Sequence, residues 1–159
     1  MSSNTNANTS GINLSDHTTQ SNTAKVMVNG DVVFSVSGGD ILVYALAAEC
    51  YTANGATAST LQWSVTNNGT STPQTVSNAS ASLANAAIGV SVLAQLGALT
   101  NAPVVTNAAG VGAFPWGAIR VPAGCDIKTV IGTGSTTGTW KHYIRWEPLE
   151  IGATVSPAF

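Results

Sequence analysis

The stretch Thr139-Trp140-Lys141-His142-Tyr143-Ile144-Arg145-Trp146-Glu147 alternates without a slip. Trp140, His142, Ile144 and Trp146 fall on one side, and Lys141, Tyr143, Arg145 and Glu147 on the other. Successive side chains of a strand point to opposite faces, so this pattern predicts a β-strand whose aromatic side faces a core. Thr60 to Thr66 repeats it, with Leu61, Trp63 and Val65 set against Gln62, Ser64 and Thr66. Ile41 to Tyr51 is a nearly continuous apolar run, the pattern of a strand covered on both faces.

Outward from these three segments the chain is a series of short apolar runs between turn residues. Lys25 to Val28, Asn29-Gly30 and Asp31 to Val36 read as a hairpin, since Asn-Gly supplies the positive φ of a type I′ turn. Asn67-Asn68-Gly69 predicts a turn with a return strand at Thr72 to Val76, and Val90 to Gln95 and Val104 to Thr106 are further extended stretches. Val121-Pro122-Ala123-Gly124 is a turn ahead of a strand over Asp126 to Ile131, and Gly132 to Gly138 reads as a flexible connection. Ala79 to Ala87 mixes helix-favouring Ala and Leu with loop-favouring Ser and Asn. Short strands at this spacing, with no amphipathic helix, predict an all-β fold: a single two-sheet sandwich, jelly-roll-like, with an extended N-terminal arm. The predicted division is an arm over residues 1–24 and a β-sandwich domain over 25–159. The arm is almost wholly Ser, Asn and Thr, too polar to offset its own ordering entropy. Ile12 and Leu14 are its only large aliphatic residues and its candidate partner-binding anchors, through strand addition to a sheet edge of a neighbouring copy or of a partner protein, the alternative being an arm that folds back and covers a strand edge of its own domain.

Composition removes several function classes. A length of 159 residues fits one domain, and charged residues make up 8% against about 25% in average soluble domains. With a net charge of -2 there is no basic stripe for nucleic acid and no polybasic patch for a membrane surface. The N-terminus has neither the basic nor the apolar region of a signal peptide, which predicts synthesis and folding in a reducing cytoplasm. Cys50 and Cys125 are then expected to be reduced, buried thiols.

No catalytic constellation emerges, and the expectation is a chain that is not an enzyme and takes no cofactor and no metal. Of the two histidines, His17 lies in the arm, where no productive geometry would be held, and His142 reads as packed at the sheet face with one nitrogen hydrogen-bonded. Asp40 and Asp126 stand beside turns, where Asp bonds the local backbone. Glu49, a lone charge in an apolar run, is expected to meet Lys141 or Arg145 across the sandwich. Gly132-Thr133-Gly134 is followed by a strand, which excludes a phosphate-binding turn. Trp116, Trp140, Tyr143 and Trp146 carry an alternative reading, a carbohydrate-binding β-sandwich module in which aromatic rings stack on sugars.

Five strings have a further meaning: Gly38 to Val43, Ala53 to Trp63, Ser80 to Ala86, Val121 to Gly124 and Gly132 to Tyr143. Together they resemble a group of small virion proteins of tailed bacteriophages, the capsid decoration or cementing proteins, over roughly residues 38–150. The resemblance implies a structural virion protein that sits on the outer shell and bridges major capsid subunits, with self-association at lattice symmetry axes. The sheet edge met by the arm is then that of the capsid protein or of a neighbouring copy. It also implies location on the capsid surface after synthesis in a host cytoplasm. A head fibre, tail or baseplate part is the nearest alternative. The strings are fold and turn strings, and no functional residue is carried over with them.

Overall fold

A computed structural model describes residues 17–67, 72–96, 102–105 and 117–159. Ile12, Leu14 and Trp116 lie outside the described residues. The strands are β1 (His17–Gln20), β2 (Lys25–Val26), β3 (Val32–Ser37), β4 (Ile41–Cys50), β5 (Thr60–Asn67) and β6 (Gln74–Thr75). They continue with β7 (Ser91–Leu93), β8 (Val104–Val105), β9 (Ile119–Val121), β10 (Cys125–Gly132), β11 (Thr139–Pro148) and β12 (Thr154–Pro157). Among the described residues there is no helix, so none that could cross a membrane.

The strands form two antiparallel sheets, the sandwich expected from the alternation. One has seven strands in the order β1-β11-β4-β7-β8, with β2 also on β11 and β9 also on β4. The other has five, in the order β12-β3-β10-β5-β6. The chain switches sheet at each step through β3, β4 and β5 and again through β10, β11 and β12, an alternation shared with jelly rolls. The two longest strands, β4 and β11, pair from Trp140 opposite Cys50 to Pro148 opposite Ile41, with a bulge between Arg145 and Trp146. Between the sheets, Trp63, Phe34, Leu61 and Ile127 of one layer meet Trp140, Ile144, Leu46 and Ile41 of the other, all buried. Buried aromatic and aliphatic side chains of this size stabilise a fold by roughly 1.5–3 kcal/mol each relative to exposure, so they dominate its stability.

Three local readings are corrected. The Asn29-Gly30 turn forms, with Asp31 N donating to Val28 O at 3.3 Å, but β2 pairs with β11 and β3 with β10 and β12. The turn therefore links the two sheets and closes no hairpin, because turn chemistry says nothing about which partners the flanking strands find. The segment read as the second half of the arm is in part sheet: His17 to Gln20 pair with Trp146 to Tyr143, and Ser21 N donates to His142 O at 2.9 Å. Lastly, Gly132 to Gly138 is a tied loop. Thr136, 3% exposed, accepts from Met27 N at 2.9 Å and donates to Gly138 O at 2.9 Å.

Candidate interaction face

The two ends of the sandwich are locked by different side chains, one on each side of β4. Ahead of β4, Asp40 accepts hydrogen bonds from Ala123 N at 2.9 Å and Arg120 Nε at 2.8 Å, and its own N donates to Glu150 Oε2 at 3.1 Å. Arg120 also ion-pairs with Asp40 through its terminal nitrogen. The amide of Ala123 first and the guanidinium of Arg120 second favour the charged carboxylate, so the Asp40 pKa lies below the usual value. Gly38 packs here with φ +74°, and a Cβ on it would run into the Gly152 carbonyl oxygen, so this turn requires glycine.

Beyond β4, Asn54 performs the same task. Its Nδ2 donates to Leu83 O at 2.8 Å, and its Oδ1 accepts from Thr137 N at 2.8 Å and Gly138 N at 3.0 Å. Its main chain joins in, with Asn54 N donating to Ala86 O at 2.9 Å. A Cβ on Gly138 would strike the Thr52 carbonyl oxygen, so the close approach is possible only for glycine. The strings that carry the resemblance thus converge. Gly38 to Val43 and Val121 to Gly124 meet at Asp40, while those beginning at Ala53, Ser80 and Gly132 meet at Asn54. Their role is to fix the fold.

The outward face of the seven-stranded sheet is different in character. Glu49 lies opposite Lys141, Ala47 opposite Tyr143, Ala45 opposite Arg145, and Leu42 opposite both Glu147 and Arg120. Tyr44, at the bulge, donates to Glu147 Oε2, and Tyr143 donates to Glu49 Oε2 at 3.2 Å. Lys141 Nζ stands 5.1 Å over the ring of Tyr51. All 3 tyrosines of the chain, three of its 5 basic residues and two of its 7 acidic ones share this one face. Burial first, then the charge of Glu49, raises the Tyr143 pKa, so its hydroxyl stays a donor at neutral pH. The five-stranded sheet turns Ser35, Ser37, Gln62, Thr66, Thr154 and Ser156 outward beside Asp126, Lys128 and Val130 of its central strand, with Ser35 donating to Asp126 at 2.7 Å and Ser37 and Thr154 bonded at 2.8 Å.

Several single residues stand elsewhere than the sequence suggests. Glu49 lies opposite Lys141 in the same sheet rather than across the sandwich, and its carboxylate bonds Tyr143 while Lys141 Nζ stands over Tyr51. Asp126 bonds a serine on the adjacent strand, and Asp40 bonds across two turns, so neither caps its own local backbone. Trp140 and Trp146 are buried, and neither can stack on a sugar from solvent. His17 is held: its ring stacks on Trp146 at 4.7 Å, above a Trp146 Nε1 that donates to Thr19 Oγ1 at 3.0 Å. His142 is 1% exposed, packed at the inner face of its sheet as read, and its Nδ1 has no hydrogen-bond partner among the described residues. Cys50 and Cys125 are free and buried, and burial raises both thiol pKa values. The tyrosine content of the face was within reach of the sequence at Tyr143, but Tyr44 and Tyr51 were hidden in an apolar run.

No family model matches the chain. No curated protein matches it either. A solved structure of infectious bursal disease virus, Gx strain, overlaps 91% of this chain at 8% identity and a TM-score of 0.22. This chain spans 36% of the length of that one. At so low a score the overlap says nothing about what the chain does.

Proposed function

We propose that the chain is a structural virion protein that decorates and stabilises the outer surface of a tailed-phage capsid by bridging major capsid subunits. It is seated through the outward face of the seven-stranded sheet. The observation that carries the reading is the gathering of every tyrosine and both arginines on one outer face. Tyr and Arg are the residue types that concentrate binding energy in protein interfaces, while Ser is depleted there. Tyr44 and Tyr143 hold the carboxylates of Glu147 and Glu49 in place, so the face enters a contact with its charges already partnered, which limits desolvation cost. The resemblance of residues 38–150 to capsid decoration proteins supplies the identity of the partner, and a chain with 8% charged residues suits a contact made in many copies.

In this reading the protein has no enzymatic role. Its ordered, buried His142 is sealed from substrate by the core. The partners are the major capsid protein and further copies of the chain, with no nucleic acid and no membrane, and the location is the virion surface. Ile12 and Leu14 are proposed as a second point of attachment ahead of β1. The reading is tested by the amount of the protein in purified particles relative to the major capsid protein. A stoichiometry of the same order as that of the shell subunits is expected. A few copies confined to one vertex or to the tail would overturn the decoration role and favour a tail or baseplate part.

A further inference from the structure

The buried imidazole of His142 takes no part in the outward face, and it lies where both ends of the described chain meet. Residues 17–26 run antiparallel along the edge of β11 as a strap made of β1, a bend and β2. Ser21, fully buried, donates its N–H to His142 O at 2.9 Å and accepts from His142 N through its hydroxyl at 3.0 Å. Asn22 N donates to Phe159 O at 2.7 Å. The Phe159 ring stands edge-on to the imidazole at 6.1 Å, and Trp63 does so at 6.4 Å. Strap, Phe159 and Trp63 thus enclose an imidazole whose Nδ1 is unpartnered.

We propose that His142 is an acid-operated latch on this strap: the closed strap seals a neutral imidazole, and a proton taken from solvent when the strap lifts keeps it open. The charged and titratable neighbours support that assignment. On β11 itself, Lys141 and Tyr143 point to the opposite face. From β4, Ala48 lies opposite His142 and Glu49 faces outward. From β5 the neighbour is Trp63, and from the strap Ser21 and Lys25, whose Nζ lies 5.1 Å over the Phe159 ring. Asp31, ion-paired with Lys25 at 3.0 Å, favours a charged imidazole, but burial outweighs it and pushes the His142 pKa down from 6.5 to about 3. A lifted strap restores access to water, so the open state binds a proton that the closed state excludes. Opening frees ten residues, at about 3.3 Å each when extended, to lengthen the tether between the domain and everything ahead of His17.

The test is native-state amide exchange of Ser21 and Asn22, corrected for intrinsic rates, at pH 7 and pH 4, in the full chain and in His142→Phe. Excluding one proton over this window predicts that the opening equilibrium rises about 200-fold on acidification in the native chain. In His142→Phe it stays flat. If His142→Phe does not fold, His142→Gln, also uncharged over this range, replaces it with the same expectation. Two results would overturn the latch. One is an equal pH response in native and variant chains. The other is Ser21 and Asn22 exchanging only as fast as the amides of the β5–β10 ladder, which would mean that the strap opens only when the whole domain unfolds.

Discussion

Replacement of Asn54 by Ala tests whether the far end of the sandwich is held as described. The variant removes the bond to Leu83 O at 2.8 Å and those from Thr137 N and Gly138 N at 2.8 and 3.0 Å. These three bonds to main-chain groups, at about 1 kcal/mol net each, give the lower bound, and the one from Thr137 Oγ1 at 3.2 Å is lost with them. Asn54 is 5% exposed, so Leu83 O and Gly138 N are left with little access to water, and each orphaned group adds roughly 1 kcal/mol or more. The sum is about 3–5 kcal/mol, a large part of the 5–15 kcal/mol typical of a domain. For a chain of this length it should lower Tm by roughly 10–15 °C, followed by circular dichroism on heating. Asn54→Asp keeps both amide acceptor contacts but sets a carboxylate against the Leu83 carbonyl, and should recover only part of the loss. An Asn54→Ala protein melting within about 2 °C of the native chain would refute the convergence of the three strings on this side chain.

Trp63→Ala, at a fully buried position between the sheets, should cost about 3–5 kcal/mol and leave little folded protein at 37 °C, measured by urea unfolding. A native-like midpoint would place Trp63 outside the core. Deletion of residues 1–15 should leave Tm unchanged, whereas deletion of 1–24 removes β1 and Ser21 and uncovers His142, and should lower Tm clearly. Equal melting of the two truncated chains would show that the strap adds nothing to the domain.

The strands with period-2 alternation were legible because both of their faces have a fixed environment. In β11 the buried positions are every second one, Trp140, His142, Ile144 and Trp146, and in β5 Leu61 and Trp63 are buried as read, although Val65 is only half-buried and Ser64 is buried. β1 was not legible: His-Thr-Thr-Gln has no apolar alternation, and its place comes from the free edge of β11, from Thr19 beneath Trp146 and from Ser21. The Asn29-Gly30 turn was visible while its consequence was not, since a turn of this kind fixes a local reversal and leaves the pairing to more distant strands. Gly132 to Gly138 looked loose because its partner, Asn54, lies over 80 residues earlier in the chain. The interaction face was half legible. Lys141, Tyr143, Arg145 and Glu147 share one side of β11 by simple alternation, but Glu49, Tyr44 and Arg120 join them only through pairing with β4 and β9.

Binding to capsid shells stripped of this protein tests most directly whether the outward face of the seven-stranded sheet is the seat. Tyr51 and Arg145 are both exposed and can be changed to Ala without opening the core. Two interface residues at about 1–2 kcal/mol each predict an affinity loss of roughly 30-fold or more in Tyr51→Ala/Arg145→Ala, with an unchanged Tm. Ser37→Ala/Ser156→Ala, on the hydroxyl face of the other sheet, should bind as the native chain does. Full binding by the Tyr51/Arg145 variant together with loss of binding by the Ser37/Ser156 variant would contradict the account and put the seat on the opposite face.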